Sequence, residues 1–269
     1  MDLMAITSLI KNNVHVLGNP DAPETLVFTH GFGTDQNSWN EVIEPFTGNY
    51  RIIVYDNSGG GKSDPAYFSA NKYDHLLSYA ADLLDICRDL DVTNAILVGH
   101  SVGSMISILA ILEEPDRFKK LVIIGASPRY LNDPGYIGGF EQSDLDALYQ
   151  TMNDNYFAWV SGFANLVMQN ADRPYLAKNF ADGLSAIRPD IAQSVAKVIF
   201  QSDHRSDLPK LAIPTLILQS KEDVAVPYAV AEYLREHIAG SRMMEVNAFG
   251  HFPHISAPQE IIRAIRSFI

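Results

Sequence analysis

A single cysteine, Cys87, stands among the 269 residues, so no disulfide can form within the chain. Its place inside YAADLLDICRDL marks it as a small core residue on a helix face rather than a nucleophile. No run approaches the ~18 apolar residues of a transmembrane helix. The N-terminal MDLMAITSLIKNN has neither the basic start nor the long apolar stretch of a secretory leader, and a cytoplasmic location is the expectation. Basic residues are scarce: 20 Lys and Arg against 32 Asp and Glu leave a formal charge of −12. That charge repels nucleic acid and anionic membrane at long range, so neither is expected as a partner. Internal repeats, linkers and low-complexity tracts are missing too.

One further absence decides a motif. DNSGGGKSD (56–64) ends like a phosphate loop, but that loop requires a glycine five positions before Gly61, and Asp56 stands there. A carboxylate at the mouth of a phosphate cradle repels the ligand. A nucleotide site is therefore not expected.

What is present describes a globular protein with plenty to bury, 47% apolar and 19% charged. TLVFTHG, RIIVYD, AILVGHS, KLVIIGA, PTLILQS and RMMEVN read as strands, most of them almost continuously apolar, as parallel strands covered on both faces should be. Helical patterns near 37–46, 73–90, 102–113, 227–238 and 257–268 lie between them. The alternation predicts an α/β fold, a mostly parallel sheet with helices on both faces. NNVHVLG is expected to form a first hairpin. From 128 to 202 only four helical patterns appear, which predicts a helical cap inserted in a core made of 1–127 and 203–269. Such a cap covers the C-terminal sheet edge, where ligands bind in these folds.

Gly99-x-Ser101-x-Gly103 directly follows an apolar strand and opens a helix, the context of a nucleophile elbow. The turn is tight, so side chains two residues either side of the serine would collide with neighbouring backbone. A serine hydroxyl needs a base to take its proton, and in this architecture an acid and then a histidine follow in chain order. Asp223, beyond the end of TLILQS, and His251, in the loop before the last helix, meet that order. Glu222 and Asp133 are alternative acids, and His254 an alternative base. A zinc site on His251 and His254 lacks further ligands at usable spacing. THGFGTDQ follows an early strand, where a loop donating to an oxyanion belongs. The backbone N–H groups of Phe32 and Val102 are the expected donors.

On these motifs, and on ASPRYLNDPGYIGGFEQ, RPDIA, IFQSDHR and GHFPHISAP, the chain resembles the α/β-hydrolases nearly end to end. Within them it resembles the branch of the bacterial stress-response hydrolase RsbQ and the plant karrikin and strigolactone receptors. The resemblance implies a four-helix cap and the triad Ser101, Asp223 and His251. It also implies a pocket at Phe32, Tyr130, Phe140, Trp159, Phe163, Phe180 and Phe200, for a small hydrophobic ligand. It implies no cofactor and no metal. His254 agrees with the bacterial branch while other cap segments look plant-like. Two functions follow as expectations: a serine hydrolase of a small ester or butenolide-like lactone, or a ligand sensor with slow hydrolysis. The sensor would signal through a protein partner, a stress sigma-factor phosphatase or a hormone-type one. Ser101 argues against the carboxylate-nucleophile chemistries of the fold, while carbon–carbon bond hydrolysis stays open.

Overall fold

The computed structural model describes residues 3–269. Met1 and Asp2, which belong to the N-terminal segment read above for a leader, lie outside the described residues. In chain order the elements are α1 (Leu3–Lys11), β1 (His15–Gly18), β2 (Thr25–Thr29), α2 (Asn40–Ile43), β3 (Arg51–Val54), α3 (Leu76–Asp89), β4 (Ala95–His100), α4 (Val102–Glu113) and β5 (Phe118–Ile124). They continue with α5 (Gln142–Asp154), α6 (Tyr156–Met168), α7 (Pro174–Ser185), α8 (Pro189–Phe200), β6 (Thr215–Glu222), α9 (Tyr228–His237), β7 (Arg242–Phe249), α10 (Pro253–Ser256) and α11 (Pro258–Arg266). Among the described residues, seven strands form one sheet in the order β1-β3-β2-β4-β5-β6-β7. All neighbours are parallel except β1 with β3.

The side-chain period of two explains the layers. Val27, Leu97, Leu121 and Ile123 point to one face and pack with α3, α4 and α9. Leu26, Phe28, Ile96, Val98, Val122 and Ile124 point to the other, against Trp39, Val42, Phe46 and the Ile261 and Ile265 face of α11. Because both faces are covered, β2 and β4 are buried at every residue. That is why these strands read as continuous apolar runs.

The expected hairpin at NNVHVLG is a correction. β1 pairs antiparallel with β3, not with the next strand β2, and β3 stands between them. It is an edge strand, exposed along its length, so no alternating pattern marks its partner. α1 forms where only a short apolar run was read. The 37–46 pattern breaks into a 3₁₀ turn, the single α turn of α2 and a second 3₁₀ turn that carries Pro45. Pro45 brings no N–H to a helical ladder.

Between β5 and β6 come the four helices α5 to α8, with isolated bridges only among the described residues from 128 to 202. Pro174 and Pro189 open α7 and α8, where a missing N–H is harmless. Asn155 caps α6 by accepting from Ala158 N at 3.0 Å.

The DNSGGGKSD loop binds a group of its own chain. The Asp56 carboxylate accepts from Gln36 N at 2.9 Å, Lys62 N at 2.8 Å and Asn13 Nδ2 at 2.8 Å. The Asp56 carboxylate thus occupies Lys62 N, one of the loop's own donors. Gly61 is required because an added Cβ would lie 2.5 Å from Asp56 Cγ. Ser63 ties the turn, donating to Gly60 O at 2.7 Å and accepting from Gly59 N at 3.1 Å.

Candidate active site

Ser101 sits between β4 and α4 with φ 52° and ψ −124°, a sparsely populated conformation for a residue with a side chain. The two flanking glycines permit it. A Cβ at Gly99 would lie 2.6 Å from Gly103 O, and one at Gly103 would lie 2.3 Å from Thr29 O. The turn presents the Ser101 hydroxyl to His251, with Oγ 2.8 Å from Nε2. On the far side of the ring, Nδ1 lies 2.8 Å from Asp223 Oδ2. The other carboxylate oxygen accepts from Ala225 N at 2.9 Å and Val226 N at 3.1 Å, which fixes the Asp223 side chain. A carboxylate can only accept, so Nδ1 carries the proton and Nε2 is free to accept from the serine. The side chains of His251 and Asp223 are almost wholly buried.

The rival residues go elsewhere. Glu222 is exposed at the end of β6, and Asp133 pairs with Arg205 at 2.7 Å. His254 lies fully buried with ring centroids 4.4 Å from Trp39 and 4.3 Å from His100, and neither ring nitrogen has a partner among the described residues. It does not reach Ser101. Burial first, then His251 and His30, holds its pKa down to about 3.

The His251 loop is fastened from two sides. His100 Nε2 donates to the His251 carbonyl at 2.7 Å. Burial, and then the neighbouring His254 and His251, keeps His100 neutral well below the usual histidine range. From the other side, His251 N donates to Val167 O of α6 at 2.8 Å. Gly250, at φ +87°, passes so close that a Cβ would lie 2.3 Å from Met168 O.

Phe32 lies between Gly31 and Gly33, and a Cβ on Gly31 would come within 2.5 Å of His100 Nδ1 and 3.2 Å of Ser101 Cβ. The loop therefore lies directly against the serine. Val102 is the first residue of α4, so its N–H has no intrahelical acceptor. Asn57 braces the loop: its N donates to His30 Nε2 at 2.9 Å and its Nδ2 to His30 O at 3.0 Å.

Ser101 and His251 open on a cavity of about 110 Å³, lined also by Phe32, Tyr130, Phe140, Phe163 and Phe200. Tyr130 Oη is 3.4 Å from Ser101 Oγ, and burial pushes its pKa up to about 12, so it stays protonated. Trp159 and Phe180 stand outside this lining. Trp159 stacks on Phe163 at 4.9 Å, and Phe180 packs on Phe252 at 4.7 Å and against Gly33. Both support the wall from behind. Phe252, Val167 and Ile199 line the cavity without having been singled out. Phe252 adjoins His251 in GHFPH, which is the one signal that pointed to it.

A family model described as alpha/beta hydrolase fold matches residues 24–167, more than half of the chain, and one described as TAP-like protein matches residues 195–269. The chain belongs to the alpha/beta hydrolase family. This hydrolase is 44% identical to the karrikin insensitive 2 receptor CA of Petunia hybrida over 252 residues, 93% of each chain. It is 43% identical to the strigolactone esterase of Arabidopsis thaliana over 255 residues, 94% of each. Among solved structures, a hydrolase from Oleispira antarctica superposes with a TM-score of 0.94 at 33% identity, over 98% of this chain and 96% of that one. Among the described residues no helix is long and apolar enough to cross a membrane.

Proposed function

We propose that this hydrolase cleaves a small hydrophobic ester or lactone, of butenolide type, through an acyl-enzyme on Ser101, with no cofactor. The observation that carries the reading is the Ser101–His251–Asp223 relay, 2.8 Å at each link, opening on an aromatic cavity. His251 Nε2 takes the Ser101 proton as Oγ attacks the carbonyl carbon. The negative oxygen that forms is held by the N–H groups of Phe32 and Val102; losing one such donor costs roughly 10²–10³ in rate. His251 then gives its proton to the leaving oxygen, which in a lactone stays tethered to the acyl group. Water, deprotonated by His251, attacks the ester carbon, and the acid leaves as Ser101 is restored. Asp223 holds the ring's tautomer and stabilises the imidazolium. The segment 128–202 serves as the cap that makes the cavity narrow and apolar.

A second reading is a sensor of the RsbQ and receptor kind, in which slow hydrolysis sets a cap state read by a protein partner. Two observations favour keeping it. A relative similar over 93% of this chain is named a receptor, and the candidate base is bonded through its own N–H to cap helix α6. Steady-state hydrolysis of short-chain aryl esters and a butenolide, by wild type and Ser101→Ala, separates the readings. Several turnovers per second, lost in the variant, support a metabolic esterase. About one per minute with a ligand-dependent rise in Tm supports the sensor. Activity retained by Ser101→Ala would sink both.

A further inference from the structure

Behind Phe32 lies a second cavity of about 30 Å³. Phe32 and Ile199 line both cavities, so their side chains form the partition between them. The cavity surface is almost wholly apolar, with Leu76, Tyr79, Val102 and Ile106 from the core and Ala192 from cap helix α8, although His30, Thr34, Asn57 and Ser58 also border it. At about 10–15 Å³ for each water-sized occupant, the space holds two or three heavy atoms. Tyr79, whose Oη is buried with no hydrogen-bond partner among the described residues, contributes to its lining.

Chemistry decides which part of a substrate belongs there. The leaving oxygen must face His251 Nε2, and His251 lines the large cavity but not the small one. The residues of both candidate oxyanion donors, Phe32 and Val102, line the small one. A carbonyl seated with its oxygen on those donors and its leaving group toward His251 has its remaining substituent directed at the partition. We infer that the side cavity is the subsite for the acyl portion of the substrate, admitting a branch of two or three heavy atoms when the Phe32 ring turns aside. This rests on the serine-hydrolase reading above.

The test measures kcat/KM for p-nitrophenyl acetate, butyrate and hexanoate with wild type, Ala192→Leu and Ile199→Ala. The larger side chain of Ala192→Leu fills the cavity, removes room for the branch and lowers the butyrate-to-acetate ratio roughly tenfold. Cutting the partition with Ile199→Ala joins the cavities and raises the hexanoate-to-butyrate ratio roughly tenfold. The first variant keeps the partition and the second keeps the cavity, so either one alone is informative if the other folds poorly. Ser101-dependent hydrolysis with ratios within about twofold of wild type in the folded variants overturns the subsite and leaves the serine-hydrolase reading intact. No Ser101-dependent hydrolysis of any of the three esters by wild type overturns that reading and the subsite with it.

Discussion

His254 makes the stability of this hydrolase depend on pH between about 3 and 6.5. In the unfolded chain its ring takes a proton below about 6.5. In the folded chain burial against Trp39 and His100 keeps it neutral down to about 3. Between those values the unfolded state binds one more proton, so stability is complete above pH 6.5 and is lost as the pH falls. At 1.36 kcal/mol per unit, two units of acidification to pH 4.5 cost about 3 kcal/mol. For a chain of this size that lowers Tm by about 5–6 °C. His100, shifted in the same direction, adds to the fall. Replacing His254 by Phe keeps a ring between its neighbours and removes no hydrogen bond, since none is made among the described residues. Scanning calorimetry of both proteins from pH 7.5 to 4.5 should show the His254→Phe curve flatter by about one proton. Parallel curves would refute the claim that this ring is held neutral by the fold.

Other substitutions follow from single contacts. Gly103→Ala drives a Cβ to 2.3 Å from Thr29 O, backbone that cannot swing away. The expected cost exceeds about 3 kcal/mol, read as a loss of soluble protein or a fall in urea midpoint; near-wild-type stability would contradict the close approach. Lys11 and Asp82 form a buried ion pair joining α1 to α3, and Asp82 also accepts from Ser58 and Tyr73. Lys11→Met strands the carboxylate and should cost about 3–5 kcal/mol, much of it restored by adding Asp82→Leu; a mild single variant would mean the pair contributes little. Asp223→Asn should lower turnover of an aryl ester about 10⁴-fold by favouring the wrong tautomer of His251, with Tm nearly unchanged.

Much of this was legible in the residues, for identifiable reasons. Parallel strands covered on both faces leave continuous apolar runs, so β2, β4 and β5 announce themselves. The serine stood out because a strained turn needs Gly99 and Gly103, and because the order Ser101, Asp223, His251 is long-range but fixed by the fold. β1 was misplaced because an exposed edge strand carries no burial pattern to name its partner. The aromatic wall was legible only as a set. Phe163 faces the cavity and Trp159, four residues earlier on the same helix, stacks behind it. Helical spacing puts both on one face, and only the packing of α7 and the His251 loop decides which one meets the ligand. The role of Asp56 was half visible: it excluded a phosphate, but its three donors come from three separate segments of chain.

The central claim is a covalent one, so the direct measurement is the mass of the protein during turnover. The enzyme mixed with a p-nitrophenyl ester and quenched in acid within the first turnover should gain the mass of one acyl group, located by peptide mapping on Ser101 and absent from Ser101→Ala. An acyl group on another residue, or ester cleavage with no adduct at any quench time, would contradict the account.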